Sequence, residues 1–303
     1  MSDSILPAVS LVPLPGRQAR SLEMAREIER RGFDGIYVPS LGEALAFCQS
    51  LALVTERLRM GTSVVNLYAR HPSEYARTAA LVHELSGGRF AFGIGVSHGP
   101  MNRRLGVAKT RPLADTRAFV EALRATRGAG DLPPVVLAAM RDAMVEVAAE
   151  LGDGLVMANA ALSYVPHSLE VARTRGADPK TFFVGNMIPT CIHDDRAAAA
   201  ARNRRTMLFY AKLPNYRRYW KAAGYVGEME AVEAAIERGD DDAIGGLLSD
   251  RWLADCTLFG PAAHVRERVE AWRDAGVTTP ILVPSSAEGN QAKAFEELFA
   301  AFA

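Results

Sequence analysis

The side chains best placed for chemistry in this sequence stand at the ends of short apolar runs. Ser40 follows the run ending at Pro39, and Ser63, Val64 and Asn66 close the run that starts at Leu58. Gly95, Val96, Ser97 and His98 close the run from Arg89, Met140 and Arg141 the run from Pro134, and Asn159 the run from Gly154. Thr190 ends a sixth. The set contains no paired carboxylates and no metal-ligand cluster. HExxH and a Walker loop are absent, and no nucleophile has an evident base. Gly93-Ile94-Gly95 is a fragment of a dinucleotide fingerprint without the third glycine that opens a helix. Residues of this kind fit a cofactor that brings its own reactivity.

Such residues need a scaffold that gathers strand ends. The chain alternates short apolar runs with amphipathic stretches throughout. Gln18 to Arg31 has helical spacing and a stop at Gly32; Ala44–Glu56, the stretch from Pro72 to Gly87-Gly88, Leu113–Arg127, Met144–Leu151, Pro166–Arg175 and Ala292–Phe302 follow the same pattern. Between them, strands are predicted near residues 10, 36, 62, 93, 137, 157, 187 and 282. Eight βα units predict a closed (β/α)8 TIM barrel. Strand ends are where such a barrel carries its site, which returns the residues above as candidates.

Two features leave alternatives open. In the fourth strand, Phe90, Phe92, Ile94 and Val96 alternate with Ala91, Gly93 and Gly95. The glycines either leave room for a flat ring or let small and large residues fill the barrel taper. A long stretch separates the seventh and eighth strands. We read about 195–260 as a helical insertion in a single domain covering 1–303. It either shapes a substrate pocket or covers the barrel and forms a dimer contact. Its aromatics Tyr210, Tyr216, Tyr219, Trp220 and Tyr225 either face a planar ligand or pack the insertion's own core.

Charge narrows the partners. The 303 residues hold 35 Lys+Arg against 35 Asp+Glu, for a net charge of zero. A nucleic-acid or anionic-membrane binder needs a basic excess, so neither partner is expected. No apolar run reaches the length of a membrane span. Met1 to Ser4 show no basic start to a signal peptide. Cys48, Cys191 and Cys256 are odd in number and lie far apart, which predicts a reducing, cytoplasmic setting and no metal site. His71 is expected at a helix start, His83 and His264 within helices, and His167 and His193 after turns without a nameable partner.

The run LRMGTSVVNLYARHPSEYARTAALVHELSGGRFAFGIGVSHGPMNRRL, from Leu58 to Leu105, resembles the luciferase-like monooxygenase superfamily. GFDGIYVP at Gly32–Pro39, AAELGDG at Ala148–Gly154 and GPAAHVRERVEAWRDAGV at Gly260–Val277 extend the likeness over about residues 6–284. The GIGVSH ending is most similar to the branch using the deazaflavin coenzyme F420.

The resemblance implies a TIM barrel with the ring over the strand ends. It implies a non-prolyl cis peptide at Ser63–Val64 behind the ring, Asn66 at the ring edge, and Val96, Ser97 and His98 alongside. The family's phosphate loop falls on Ala138, Ala139, Met140 and Arg141, where Met140-Arg141 replaces a Gly-Gly. Ser40, Gly95 and Asn159 complete the expected cofactor-binding set. His98 stands where some relatives keep an acidic proton donor or acceptor, so it is the expected catalytic residue, moving a proton or else orienting the ring. Pro39-Ser40-Leu41-Gly42 lacks the acidic–His pair of sugar-phosphate dehydrogenases, so that substrate is not carried over. The implied activity is hydride transfer between F420 and a small organic substrate, in either direction, by a homodimer. The alternatives are an FMN-dependent monooxygenase and a non-catalytic flavin-binding barrel.

Overall fold

A computed structural model describes residues 5–13, 15–107 and 109–303. Met1 to Ser4, read above for charge, lie outside the described residues. The strands are β1 (Ala8–Ser10), β2 (Gly35–Val38), β3 (Arg59–Thr62), β4 (Val65–Asn66), β5 (Phe90–Gly95), β6 (Val135–Ala138), β7 (Gly154–Ala158), β8 (Phe183–Ile192), β9 (Leu258–Gly260) and β10 (Thr279–Ser285). Their order in the sheet is β10-β1-β2-β3-β5-β6-β7-β8-β9, with β10 also pairing β8. Helices separate most successive strands, and the architecture is the expected (β/α)8 barrel.

Two strands depart from the eight expected. The run Leu58–Asn66 divides into β3 and β4, which flank a cis peptide between Ser63 and Val64. The short β9 adds to the end of β8, with Thr190, Cys191 and Ile192 opposite Leu258, Phe259 and Gly260. Its three residues carry too little periodicity to be seen in the sequence.

By its contacts the chain forms two compact units. The first covers 1–157 and 168–185. Its strands are almost wholly buried, as expected where helices flank a parallel sheet. Helix Pro72–Leu85 shows the local logic. Proline sits at its first turn, and His71 Nδ1 accepts the Ser73 N–H at 3.2 Å. Gly87 and Gly88 end it with φ of 62° and 85°, where a side chain would be strained. Tyr75, Ala76, Ala79, Ala80 and Val82 form its buried face.

The SGGRF segment next to this helix is structural. Arg89 donates to the carbonyls of Ser86, Leu58, Ala52 and Thr55 and to the Thr55 hydroxyl, at 2.7–3.2 Å. It thereby joins two helix ends to the start of β5. Burial pushes its pKa down, yet the carbonyl cage keeps it charged.

The second unit covers 158–167 and 186–303. Between β8 and β9 lie helices Arg196–Ala211, Pro214–Ala222, Val226–Glu237, Ile244–Leu247 and Asp250–Cys256. Tyr216, Tyr219 and Trp220 are all at most 5% exposed and pack in this segment's core, whereas the equally buried Tyr225 also borders a pocket. Trp220 stands edge-on to Trp252 with centroids 4.8 Å apart. His264 lies in helix Ala262–Asp274 as expected, but His193 does have a partner, Glu288 Oε1 at 3.0 Å. That carboxylate raises the His193 pKa. Among the described residues no helix is long and apolar enough to cross a membrane.

Candidate functional site

Strand pairing assembles the first part of the site. Val65 pairs Ile94 and Asn66 pairs Gly95, which sets Ser63–Asn66 against Gly95–His98. Val38 pairs Thr62, so the exposed Ser40 follows the adjacent strand end. The Thr62 hydroxyl donates to the Gly93 carbonyl at 2.7 Å and accepts the Gly93 N–H at 2.9 Å. This reciprocal pair closes the ladder where β3 stops.

The two glycines of β5 do not open a space. A Cβ on Gly93 would stand 1.8 Å from the Thr62 carbonyl oxygen. A Cβ on Gly95 would stand 2.7 Å from Ala138 Cβ and 2.9 Å from Val64 Cγ2. Both positions are already filled by protein. A side chain at either position would meet protein, and Gly95 offers a ligand only its backbone.

Asn66 is engaged at both ends of its amide, which leaves one N–H of its Nδ2. Its Oδ1 accepts the Tyr68 N–H at 3.0 Å, and its Nδ2 donates to Asn102 Oδ1 at 2.9 Å. Asn102 Nδ2 donates in turn to the Val96 carbonyl at 2.9 Å. The Asn102 N–H donates to the His98 carbonyl at 3.0 Å. Asn102 thus ties the ends of β4 and β5 into one frame. It is only 5% exposed, and sequence reading missed it. Its position inside Gly99–Arg104, a helix of six residues, gave no periodic signal.

Ser97 has φ 56°, left-handed for a residue that is not glycine. That conformation costs about 1–2 kcal/mol and concentrates at functional sites. It turns the chain so that His98 follows half-buried at the start of helix Gly99–Arg104. The His98 side chain makes no capping bond to that helix. Burial lowers its pKa, so the imidazole is neutral near pH 7.

Three further features test whether a flat, phosphate-bearing cofactor fits. Ser63 is 7% exposed, and its Oγ has no hydrogen-bond partner among the described residues. After β6, Ala139 is buried, Met140 is half-buried, and Arg141 is exposed at the N-cap of helix Asp142–Leu151. Arg141 makes no side-chain capping bond. A ten-residue helix start with an open guanidinium suits an anion. The arrangement fits such a group, with polar atoms at the β3–β5 ends and a cation after β6.

Asn159 belongs to the second unit and carries the other left-handed non-glycine, φ 58°. Its N–H donates to the Met187 carbonyl at 3.0 Å, and its carbonyl accepts Trp220 Nε1–H at 3.1 Å. The Tyr219 hydroxyl accepts the Ala161 N–H at 3.1 Å. The buried aromatics of Pro214–Ala222 therefore hold the turn after β7. Thr190 is buried with its hydroxyl on the Ile188 carbonyl at 2.9 Å.

Comparison with known proteins shows what the whole chain is similar to. A protein of Mycobacterium tuberculosis assigned to the coenzyme F420-dependent oxidoreductases is 26% identical, over 88% of this chain and 91% of its own. A 5,10-methylenetetrahydromethanopterin reductase of Methanolobus tindarius is 25% identical, over 90% and 92%. The coenzyme F420-dependent tetrahydromethanopterin reductase of Methanopyrus kandleri superposes with a TM-score of 0.75, covering 97% of each chain at 18% identity, which is a likeness of fold. The sequence model for luciferase-like monooxygenases matches residues 12–279. The chain belongs to the luciferase-like monooxygenase family.

Proposed function

We propose that this chain is a coenzyme F420-dependent oxidoreductase acting on a small organic substrate. The observation that carries this reading is the frame Ser63–Asn66 against Gly95–His98, tied by Asn102 and ending in a half-buried neutral histidine. When bound, the deazaflavin supplies a carbon that gives or takes a hydride. The protein's own residues do the rest. The Ser63 hydroxyl and the remaining Asn66 N–H hold the ring edge. The backbone of Val96 and Ser97 flanks it, with Ser40 completing the set that this unit supplies. Ala139, Met140 and Arg141 hold the phosphate through backbone N–H groups and one guanidinium. His98 accepts or returns the proton that accompanies hydride movement.

The test is a titration of cofactor-free protein with F420 and with FMN. Tighter binding of F420 is expected, and clear preference for FMN would move the chain to the monooxygenase reading. Arg141→Gln should weaken F420 binding by roughly tenfold or more, the worth of one charge-assisted hydrogen bond. Cofactor binding with no hydride exchange across a broad substrate panel would leave a non-catalytic barrel.

The proposal includes a homodimer of single-domain protomers, with 195–260 as the insertion. Leu53 is 67% exposed, Leu81 44% and Leu85 38%, on helices Ala44–Val54 and Pro72–Leu85, which pack side by side. Large exposed leucines on neighbouring helices fit a self-complementary face. Sedimentation equilibrium should give a dimer for the native chain and a monomer for Leu53→Asp combined with Leu81→Asp. A monomeric native chain would remove this part of the proposal.

A further inference from the structure

A cavity of about 390 Å³ in the second unit is lined by Ser163, Arg196, Tyr225, Arg251, Ala254, Asp255, His264 and Arg268. It shares no residue with the candidate cofactor site, and nothing in the proposed hydride transfer uses it. Three arginines line it against one carboxylate. That excess is local, because the whole chain is neutral.

The hydrogen bonds explain why the arginines remain available. Asp255 Oδ1 accepts the Ser163 N–H at 3.0 Å, and its Oδ2 accepts the Ser163 hydroxyl at 2.6 Å and the Tyr225 hydroxyl at 2.7 Å. The one carboxylate is thus satisfied by neutral donors. Among the described residues none of Arg196, Arg251 and Arg268 makes an ion pair, although most ion pairs of this chain use arginine. Each is positioned by other means. Arg196 lies over the Phe259 ring at 5.0 Å and Arg251 over the Tyr225 ring at 5.1 Å. Arg268 donates one Nη2 bond to the Ala254 carbonyl at 3.0 Å. A guanidinium stacked on a ring or held by one nitrogen keeps other donors to spend.

His264 lies one turn before Arg268 on the same helix face. Arg196 Nη1 reaches His264 Nε2 at 3.4 Å. Arginine only donates, so Nε2 accepts and the imidazole is the neutral form protonated on Nδ1. Burial first, and then Arg196, lower its pKa, in keeping with that assignment.

We propose that this cavity binds the phosphoryl group of a small phosphorylated molecule, with Arg196, Arg251 and Arg268 as its ligands. Three planar donor forks exceed what the two oxygens of a carboxylate can accept and suit the three terminal oxygens of a phosphoryl group. The volume exceeds that of a bare phosphate ion and leaves room for an organic remainder against Tyr225 and Ala254.

Inorganic phosphate and glycerol 3-phosphate, titrated into the full chain at fixed ionic strength, test the proposal by calorimetry. The His264 imidazole signals in NMR report the site in the unaltered protein. Saturable binding of both probes with movement of those signals is expected. Arg196→Gln and Arg251→Gln should each weaken binding by about tenfold or more. Arg268→Lys, which keeps charge and loses the fork, should weaken it less. Arg141→Gln should leave it unchanged, which separates this cavity from any phosphate held after β6. Still His264 signals at saturating phosphate would overturn the proposal. So would succinate binding more tightly than phosphate, or a loss that follows Arg141→Gln instead of the cavity arginines.

Discussion

Replacing His98 by Ala is expected to lower turnover roughly 10²- to 10³-fold at saturating cofactor, the usual worth of a positioned general acid or base. The expectation rests on how the histidine is held. Ser97 turns the chain in a left-handed conformation, and Asn102 fixes the carbonyls of Val96 and His98 from the other side. The backbone is therefore set independently of the imidazole, so removing the ring should leave the frame in place. Cofactor affinity should change only a few-fold, and the melting temperature little. A fall confined to cofactor affinity would assign His98 to ring orientation instead. Unchanged turnover with unchanged affinity would remove both roles.

The same histidine sets a pH dependence. Burial favours neutral imidazole, so the folded pKa lies below the ordinary histidine value of about 6.5. In the direction that removes a proton from an alcohol, His98 acts as base and needs the neutral form. The rate should be flat near neutrality and fall as pH drops through the lowered pKa. In the reverse direction the acid is needed, and the rate should rise over the same interval. His98→Ala should lose this limb in both directions. Persistence of the limb in the variant would place the titration on another group.

Much of the scaffold was legible because its signals are local. Pro72, the glycine pair after Leu85, and the alternation of apolar runs with helical stretches each act within a few residues. The candidate site divides differently. Ser63–Asn66 and Gly95–His98 were marked by standing at the ends of runs and by a motif, and β4–β5 pairing puts them together. Asn102 was not marked, because an asparagine between Met101 and Arg103 has no pattern of its own; its role exists only through Asn66 and Val96. The aromatics of the insertion show the converse. Tyr216, Tyr219 and Trp220 have the composition of a ligand-binding patch, and composition cannot distinguish a ring facing a ligand from one facing Trp252. The cavity around Arg196 was hidden for a related reason, since its arginines come from three separate helices.

Gly93→Ala should be the most damaging single change to stability among the residues at the strand ends. The added methyl would lie 1.8 Å from the Thr62 carbonyl oxygen, a backbone atom that no rotamer change can move. That carbonyl is fixed by β3, and the neighbouring Thr62 hydroxyl is locked to both polar groups of Gly93. Relief requires separating β3 from β5, which also disturbs the pairing of β4. A loss above about 4 kcal/mol follows, in the range reserved for gross steric conflict. At about 2.1 cal/mol/K of unfolding entropy per residue, a chain of 303 residues loses about 1.6 °C of Tm per kcal/mol, so a fall of about 6 °C or more is expected. Gly95→Ala makes the contrast. Its methyl meets Ala138 Cβ at 2.7 Å and a γ-methyl of the half-buried Val64 at 2.9 Å, and Val64 can rotate. The loss there should stay near 1–3 kcal/mol, as for ordinary overpacking. If Gly93 served instead to leave room for a flat ring, the order would invert. Gly93→Ala would then melt normally and fail only in cofactor titration, and thermal melts of the two cofactor-free variants decide between these outcomes.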